Sequence, residues 1–455
     1  MNFTLQQFIE DCIKSIKPAF FISITFLSQS LIISTDVIVL GWLGIDTLAA
    51  AGYGVRIYMP LFLLCLGVSL CINVMAGQAM GAKQHDAVRL IVRKLLLMGF
   101  VFGCVATVIL IASIRPLMFA LGSTESLIAL AEQYVYFFAF VLPFSVLTVG
   151  IRNFMTVVGR SAPFMYVSFG MVALNGYLDY GLAHGVWGLP QMGLRGIALS
   201  SVVVNVVNTV ILIIICNRMQ PYKQYRIFSR LEKLSCNGVV NILKIAMPLS
   251  SKMVLEALFY AVSFFLVGTF GSAYLAGYQI VYQVDTNIFL FGIGTATAIA
   301  TRVAYFTGAK DIQGLQLSVY SGIFILALWS IIAGIGAYVF GDAIASFLIQ
   351  GEGQGIDITH NTIIHMLFIL MFYQVFHGVS LGMGAALDGL GETGIPLKSF
   401  GVNIMGVGIP LSVILSYYTP LGVYGVLWAT GISMLTNTIC LIYLWRKKMN
   451  EILNA

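Results

Sequence analysis

The sequence predicts an all-α polytopic membrane protein, with twelve transmembrane helices in two pseudo-symmetric six-helix lobes built as a parallel repeat. Three observations lead there. Of 455 residues, 59% are hydrophobic and only 9% are charged, and mean hydropathy is +0.95. The apolar residues fall in continuous runs of about 20, the length a helix needs to cross a bilayer core. The second half of the chain also repeats Gly-rich motifs of the first at a near-constant offset.

The expected spans, in order, are 16–40, 51–78, 91–113, 128–149, 161–183, 194–216, 239–268, 274–305, 318–341, 361–385, 395–417 and 422–445. Continuous rather than alternating apolar runs exclude an outer-membrane barrel. No connector is long enough to hold a further domain. The opening segment MNFTLQQFIEDCIKSIKPAFF places polar and acidic residues before a long apolar run, which is not the pattern of a secretory signal. It reads as an amphipathic start lying on the membrane surface.

Lys and Arg set the orientation. With the N-terminus inside, only Arg56, Arg115 and Arg195 of the 24 basic residues fall outside, and Lys252 lies within span seven. This bias places both termini on the cytoplasmic side of the inner membrane and supports an even span count. The net charge of +6 is thus a topology signal and gives no reason to expect a nucleic-acid partner. Seven cysteines without a CxxC pair read as lone packed thiols. The expected setting is a lipid bilayer, with the chain as a monomer and no cofactor.

The repeat defines the domains. A shift of 227 residues carries Gly41 onto Gly268, Gly44 onto Gly271, Leu48 onto Leu275, Gly67 onto Gly294 and Gly81-Ala82-Lys83 onto Gly308-Ala309-Lys310. Asn175 meets Asn403 and GLRG (193–196) meets GVYG (422–425) at shifts of 228 and 229. This divides the chain into an N-lobe (1–216), a basic cytoplasmic linker (217–238) and a C-lobe (239–455). Six spans per copy make the repeat parallel, an arrangement in which transporters bind substrate between the halves.

Four carboxylates, Asp36, Asp179, Glu256 and Asp285, lie inside apolar spans. Each costs about 2.5–3.5 kcal/mol at a bilayer centre, so such residues face a bundle interior and mark an ion or substrate path. The repeat does not copy them: their mates are Ser263, Val407, Gln29 and Tyr58. Charges absent from the repeated scaffold point to function. Asp36 and Asp179 fall at similar depth near the outer ends of spans one and five, with Asn175 one turn from Asp179. With the nearby hydroxyls of Ser34, Thr35 and Tyr180, they could hold one proton or one small hard cation, Na+ included. Burial and a neighbouring carboxylate both favour the protonated form of a carboxyl, which suits the pair to H+. In the second half Glu256, Asp285, Tyr373 and His377 lie midway along spans seven, eight and ten, a second candidate cluster for cation coupling or substrate. The inner-side acids Asp86, Asp311, Asp388 and Glu392 are expected to be solvated. Pro60, Pro143, Pro248 and Pro410 each free a backbone carbonyl within a span and permit a bend. The absence of GxxxxGK[ST], HExxH and GxSxG removes an ATP-driven or hydrolytic reading and leaves no metal centre beyond that possible Na+.

This combination resembles the multidrug and toxic compound extrusion (MATE) family of cation-coupled antiporters over essentially the whole chain. Asp36 matches the family's span-one acid, and Asn175 and Asp179 its span-five amide and acid. Glu256, eight residues after Pro248, matches the span-seven glutamate of NorM-type members. Asp388-Gly389-Leu390-Gly391-Glu392-Thr393 is similar to the family's Arg-Gly-x-Gly-Asp-Thr stretch. Two departures stand out: His377 replaces an Asp one turn after Tyr373, and Asp388 replaces the Arg. The resemblance implies a non-enzymatic exporter of small organic, cationic or amphiphilic compounds, driven by H+ or Na+ through alternating access. The rivals are a lipid-linked oligosaccharide flippase of the same wider fold and an exporter of one specific metabolite. A flippase calls for a basic central cavity, whereas these spans carry acids.

Overall fold

A computed structural model describes residues 4–120, 122–229, 236–348 and 354–454, without the side chains of Ile45, Cys236, Asn237 and Gln354. Part of the expected linker, 230–235, with Arg230 and Lys233, lies outside the described residues. The first half holds α1 (Leu5–Leu43), α2 (Ile45–Cys71), a π-helical turn (Ile72–Ala76), α3 (Gly77–Gly81), α4 (His85–Ala120), α5 (Glu125–Phe138), α6 (Val141–Val157), α7 (Ala162–His184) and α8 (Leu194–Arg218). The second holds α9 (Cys236–Gly268), α10 (Ser272–Ala309), α11 (Ile312–Val339), α12 (Gly341–Leu348), α13 (Gln354–Gly389), α14 (Gly394–Asn403), a π-helical turn (Ile404–Gly408), α15 (Ile409–Tyr417) and α16 (Gly425–Asn454). Short 3-10 turns at Tyr222–Tyr225 and Gly422–Tyr424 complete the order, and the described residues contain no strand.

The described residues are almost entirely helical, and each expected span falls on a helix or, at 51–78, 128–149 and 395–417, on consecutive helices. Among the described residues ten helices are long and apolar enough to cross a membrane, and α5 with α6, bent by 40°, makes an eleventh. The expected span 161–183 is α7, which does not meet that test of length and apolarity. Asn175, Asp179, His184 and three glycines dilute its hydropathy. The α5–α6 bend falls just before Pro143, as expected of a residue that cannot donate to the carbonyl four back. That carbonyl, Ala139, accepts from the Thr107 hydroxyl at 2.9 Å.

The repeat is written in the backbone. Gly44 (φ 127°) and Gly271 (φ 121°) start α2 and α10, Lys83 (φ 59°) and Lys310 (φ 56°) are both left-handed, and Gly193 (φ 56°) pairs with Gly422 (φ 53°). At Gly44, Gly271, Gly193 and Gly422 these conformations favour glycine, which is why those repeated positions read as Gly motifs, whereas Lys83 and Lys310 hold the left-handed conformation with a side chain. A further copied device was not visible beforehand. The Ser250 hydroxyl donates to the Leu64 carbonyl at 2.8 Å, and the Ser23 hydroxyl to the Phe291 carbonyl at 3.1 Å. Donors and acceptors are again 227 residues apart. Gly67 and Gly294 admit these serines, since a Cβ would lie 2.1 Å from Ser250 Oγ and 2.2 Å from Ser23 Oγ.

The chain forms two compact units. Within the described residues, one gathers Ile24–Ser250 with Gly308–Lys310, and the other gathers the chain up to Ser23, Ser251–Thr307 and the chain from Asp311 onward. Their limits fall inside α1 and α9, whereas the expected division ran through the linker. The start of α1 is held by second-half residues: the Asp11 carboxylate pairs with Arg302 and accepts from Ser321 at 2.6 Å. In the Ile24–Ser250 unit two apolar clusters form the core, one around Leu110, Tyr134 and Leu142 and one around Ile72, Phe154 and Tyr222. The other unit packs around Ile363, Leu367 and Leu370, and around Val303, Val319 and Leu326. Arg152, counted among the inner-side charges, is buried in α6 with its guanidinium 4.5 Å above the Phe26 ring.

Candidate functional site

In the Ile24–Ser250 unit, α7 turns Ser168, Met171, Asn175, Asp179 and Leu182 inward at helical spacing. Asn175 and Asp179 are wholly buried. The Asn175 amide donates to Asp36 Oδ1 at 3.0 Å, and the Ser201 hydroxyl of α8 to Asp36 Oδ2 at 3.2 Å. Asp36 and Asp179 lie within interaction range of each other, and Tyr134 of α5 lies within electrostatic range of both. Neither Asp179 oxygen nor Asn175 Oδ1 has a donor. Ser200 adjoins Asp179 without a directed hydrogen bond to it.

The structure therefore brings Asp36, Asn175 and Asp179 together, but not the three expected hydroxyls. Ser34 and Thr35 donate to carbonyls of their own helix, at Ser30 (3.0 Å) and Leu31 (2.9 Å). Tyr180 faces outward against Trp42, His184 and Trp187. Residues next to an inward carboxylate point about 100° away on a helix, so sequence neighbours are poor partners. The hydroxyl that does bond, Ser201, comes from another helix. Its only advance signal is a polar residue inside the apolar run of span six.

The second cluster lies in the other unit and splits in two. Asp285 of α10 accepts from the Tyr260 hydroxyl at 3.3 Å and from the Gln374 amide. Tyr373 adjoins it, and Tyr260, Tyr278, Tyr282 and Tyr373 line the small cavity there. Glu256 instead meets His377, with Oε1 3.3 Å from Nε2. A carboxylate only accepts, so Nε2 carries the proton of that contact. Phe289 stacks on the imidazole at 4.8 Å, and the Tyr373 ring lies 6.4 Å away.

Asp388 corrects an expectation. It is buried and paired with Lys252 Nζ at 2.7 Å, not solvated. The α9 and α13 packing brings a lone span-seven Lys to it, so neither charge stands alone in the apolar interior. The other inner-side acids are at the surface: Asp86 beside Arg89, Glu392 beside Lys448, and Asp311 at the start of α11. Among the described residues no group of three or more His, Cys, Asp or Glu is arranged to hold a metal.

A family model described as MatE matches residues 22–180 and 248–414. The chain belongs to the MatE family. Similar relatives include the probable multidrug resistance protein NorM of Bradyrhizobium diazoefficiens, 26% identical over 92% of this chain and 89% of that protein. The probable multidrug resistance protein NorM of Synechocystis is 25% identical over 90% of this chain and 88% of its own length. In structure the chain resembles a Vibrio cholerae MATE transporter, VcmN with an Asp-to-Asn substitution, at TM-score 0.89 and 14% identity over 98% of both chains. It also resembles a MATE protein in the straight conformation, at TM-score 0.88 and 17% identity over 98% of this chain and 97% of that one. This MatE protein is a multi-pass membrane protein of a transporter family, not an enzyme.

Proposed function

We propose that this MatE protein is a cation-coupled antiporter that exports organic, cationic or amphiphilic compounds, with H+ as the coupling ion. The observation that carries the reading is the Asp36–Asp179 contact. Carboxylates cannot donate to one another, so a partly buried Asp36 beside a wholly buried Asp179 without donors is satisfied when one member holds a proton. Two bare charges so close in a low-dielectric interior repel strongly. Binding and release of one proton therefore changes the energy of this cluster more than that of any solvated acid. If one conformation exposes the pair in the loaded state and the other when organic substrate is bound, exchange is coupled; without that differential affinity it is not. The names of the NorM relatives support a drug-like substrate range. Asp36, Asp179, Glu256 and Asp285 within the spans, with Lys252 neutralised by Asp388, support cationic cargo over pyrophosphate-linked cargo.

A second reading, sodium, draws on a specific observation: Asn175 Oδ1 and both Asp179 oxygens are acceptors without donors, a set that suits a hard cation. We place the protein in the cytoplasmic membrane as a monomer with both termini inside. The test is dye efflux from proteoliposomes under a pH gradient or a sodium gradient, one at a time, with Asp36→Asn and Asp179→Asn. Wild-type efflux should follow the pH gradient and fall to background in both variants. Undiminished gradient-driven efflux in Asp36→Asn would reject the reading, and efflux that follows sodium alone would move it to the second ion.

A further inference from the structure

Helices α9 and α13 each present one acid and one base on a single face. On α9, Lys252 and Glu256 are one turn apart. On α13, His377, Leu381, Gly384 and Asp388 follow one stripe at spacings of four, three and four. The pairs form across the helices, Lys252 with Asp388 at 2.7 Å and His377 with Glu256 at 3.3 Å. Gly384 leaves room for the lysine, since a Cβ there would lie 3.7 Å from Nζ. Lys252, Glu256, His377, Ser380 and Asn437 line a common cavity of about 30 Å³, enough for one or two water molecules. Within this quartet His377 Nδ1 and Asp388 Oδ1 are buried without partners.

The charges do not balance unless one more positive charge is present. Lys252 and Asp388 cancel. Glu256 stays unmatched while His377 is neutral, and an unmatched charge is costly even at a half-buried site. Asp285 also interacts with His377, but Tyr260 and Gln374 already donate to it. We infer that Lys252 is a tethered counter-ion: its Nζ neutralises and occupies the Asp388 carboxylate, which leaves the Glu256–His377 site one unmatched negative charge and too few free oxygens to hold a sodium ion, so that the site takes a proton or an organic ammonium and shuts out inorganic cations. With Lys252 removed, Glu256 and the unpaired Asp388 would be left as two carboxylates, with the Ser380 hydroxyl oxygen in the cavity wall beside Glu256, a donor set for a small hard cation.

The inference rests on Glu256 and His377 being cation-handling residues, as the antiporter reading supposes. Equilibrium binding tests it without transport. Purified protein carrying Asp36→Asn, which disables the first cluster, is titrated with radioactive sodium. Lys252→Met should gain saturable binding of about one sodium ion per protein. Lys252→Arg should bind none, and the gain should vanish in Lys252→Met with Asp388→Asn. A monodisperse Lys252→Met protein that binds no sodium overturns the inference. So does Glu256-dependent sodium binding while Lys252 is intact, read from the parent with and without Glu256→Gln, an arm that needs no Lys252 variant to fold. Loss of export with this binding pattern intact counts against the antiporter reading alone.

Discussion

Gly67 and Gly294 should both resist replacement, and in the same way. A Cβ at residue 294 would sit 2.2 Å from Ser23 Oγ and 2.7 Å from Ser23 N, and one at residue 67 would sit 2.1 Å from Ser250 Oγ and 2.4 Å from the Ala246 carbonyl. Backbone atoms are among the obstacles, so no rotamer change relieves the clash. The helices must part by roughly an ångström to reach ordinary contact. Overpacking of this kind costs about 1–3 kcal/mol. The Ser23 or Ser250 hydrogen bond to the facing carbonyl adds about 1 kcal/mol when stretched. Better helix propensity of Ala returns about 1 kcal/mol. The net is about 1–3 kcal/mol, and at about 2–4 °C per kcal/mol for units of 150–250 residues Tm should fall by about 2–12 °C. Gly170→Ala is the control, because nothing lies within 4 Å of its Cβ position. Thermal unfolding of detergent-purified Gly67→Ala, Gly294→Ala and Gly170→Ala compares them directly. If the first two melt with the control, the close-crossing argument is wrong. If only one of them drops, the two crossings are not equivalent.

Two further changes probe local devices. Thr107→Val keeps the shape but removes the donor to the Ala139 carbonyl at the α5–α6 bend, and should lower stability by about 1 kcal/mol in the same melt; Thr107→Ser should retain most of it. Asp311 accepts from the Gly314 amide at 2.9 Å at the start of α11, so Asp311→Ala should cost about 1 kcal/mol and Asp311→Asn little.

Hydropathy and the positive-inside bias made the helices legible, because both are summed over many residues. The repeated turns were legible too, since Gly44, Gly271, Gly193 and Gly422 adopt backbone conformations that glycine favours. Helix ends were less so: α1 begins at Leu5, where the sequence suggested a span from 16. Asp36, Asn175 and Asp179 were found because polar groups stand out within apolar runs. What faced them was not. Ser201 and Lys252 are ordinary in composition, and their partners Asp36 and Asp388 are 165 and 136 residues away. Asp388 looked like a connector acid because it lies one residue from the end of α13. Tertiary packing decides that it is buried, with Lys252 of α9 at 2.7 Å from it and Ala300 and Val303 of α10 close against Gly389.

The Ser23 and Ser250 bonds have a consequence for how the polypeptide must be made. Each compact body borrows the foot of a helix encoded in the opposite half of the gene. A protein severed in the linker would yield two fragments that each lack a strut and carry a stray one. Such fragments should be stable only when produced together.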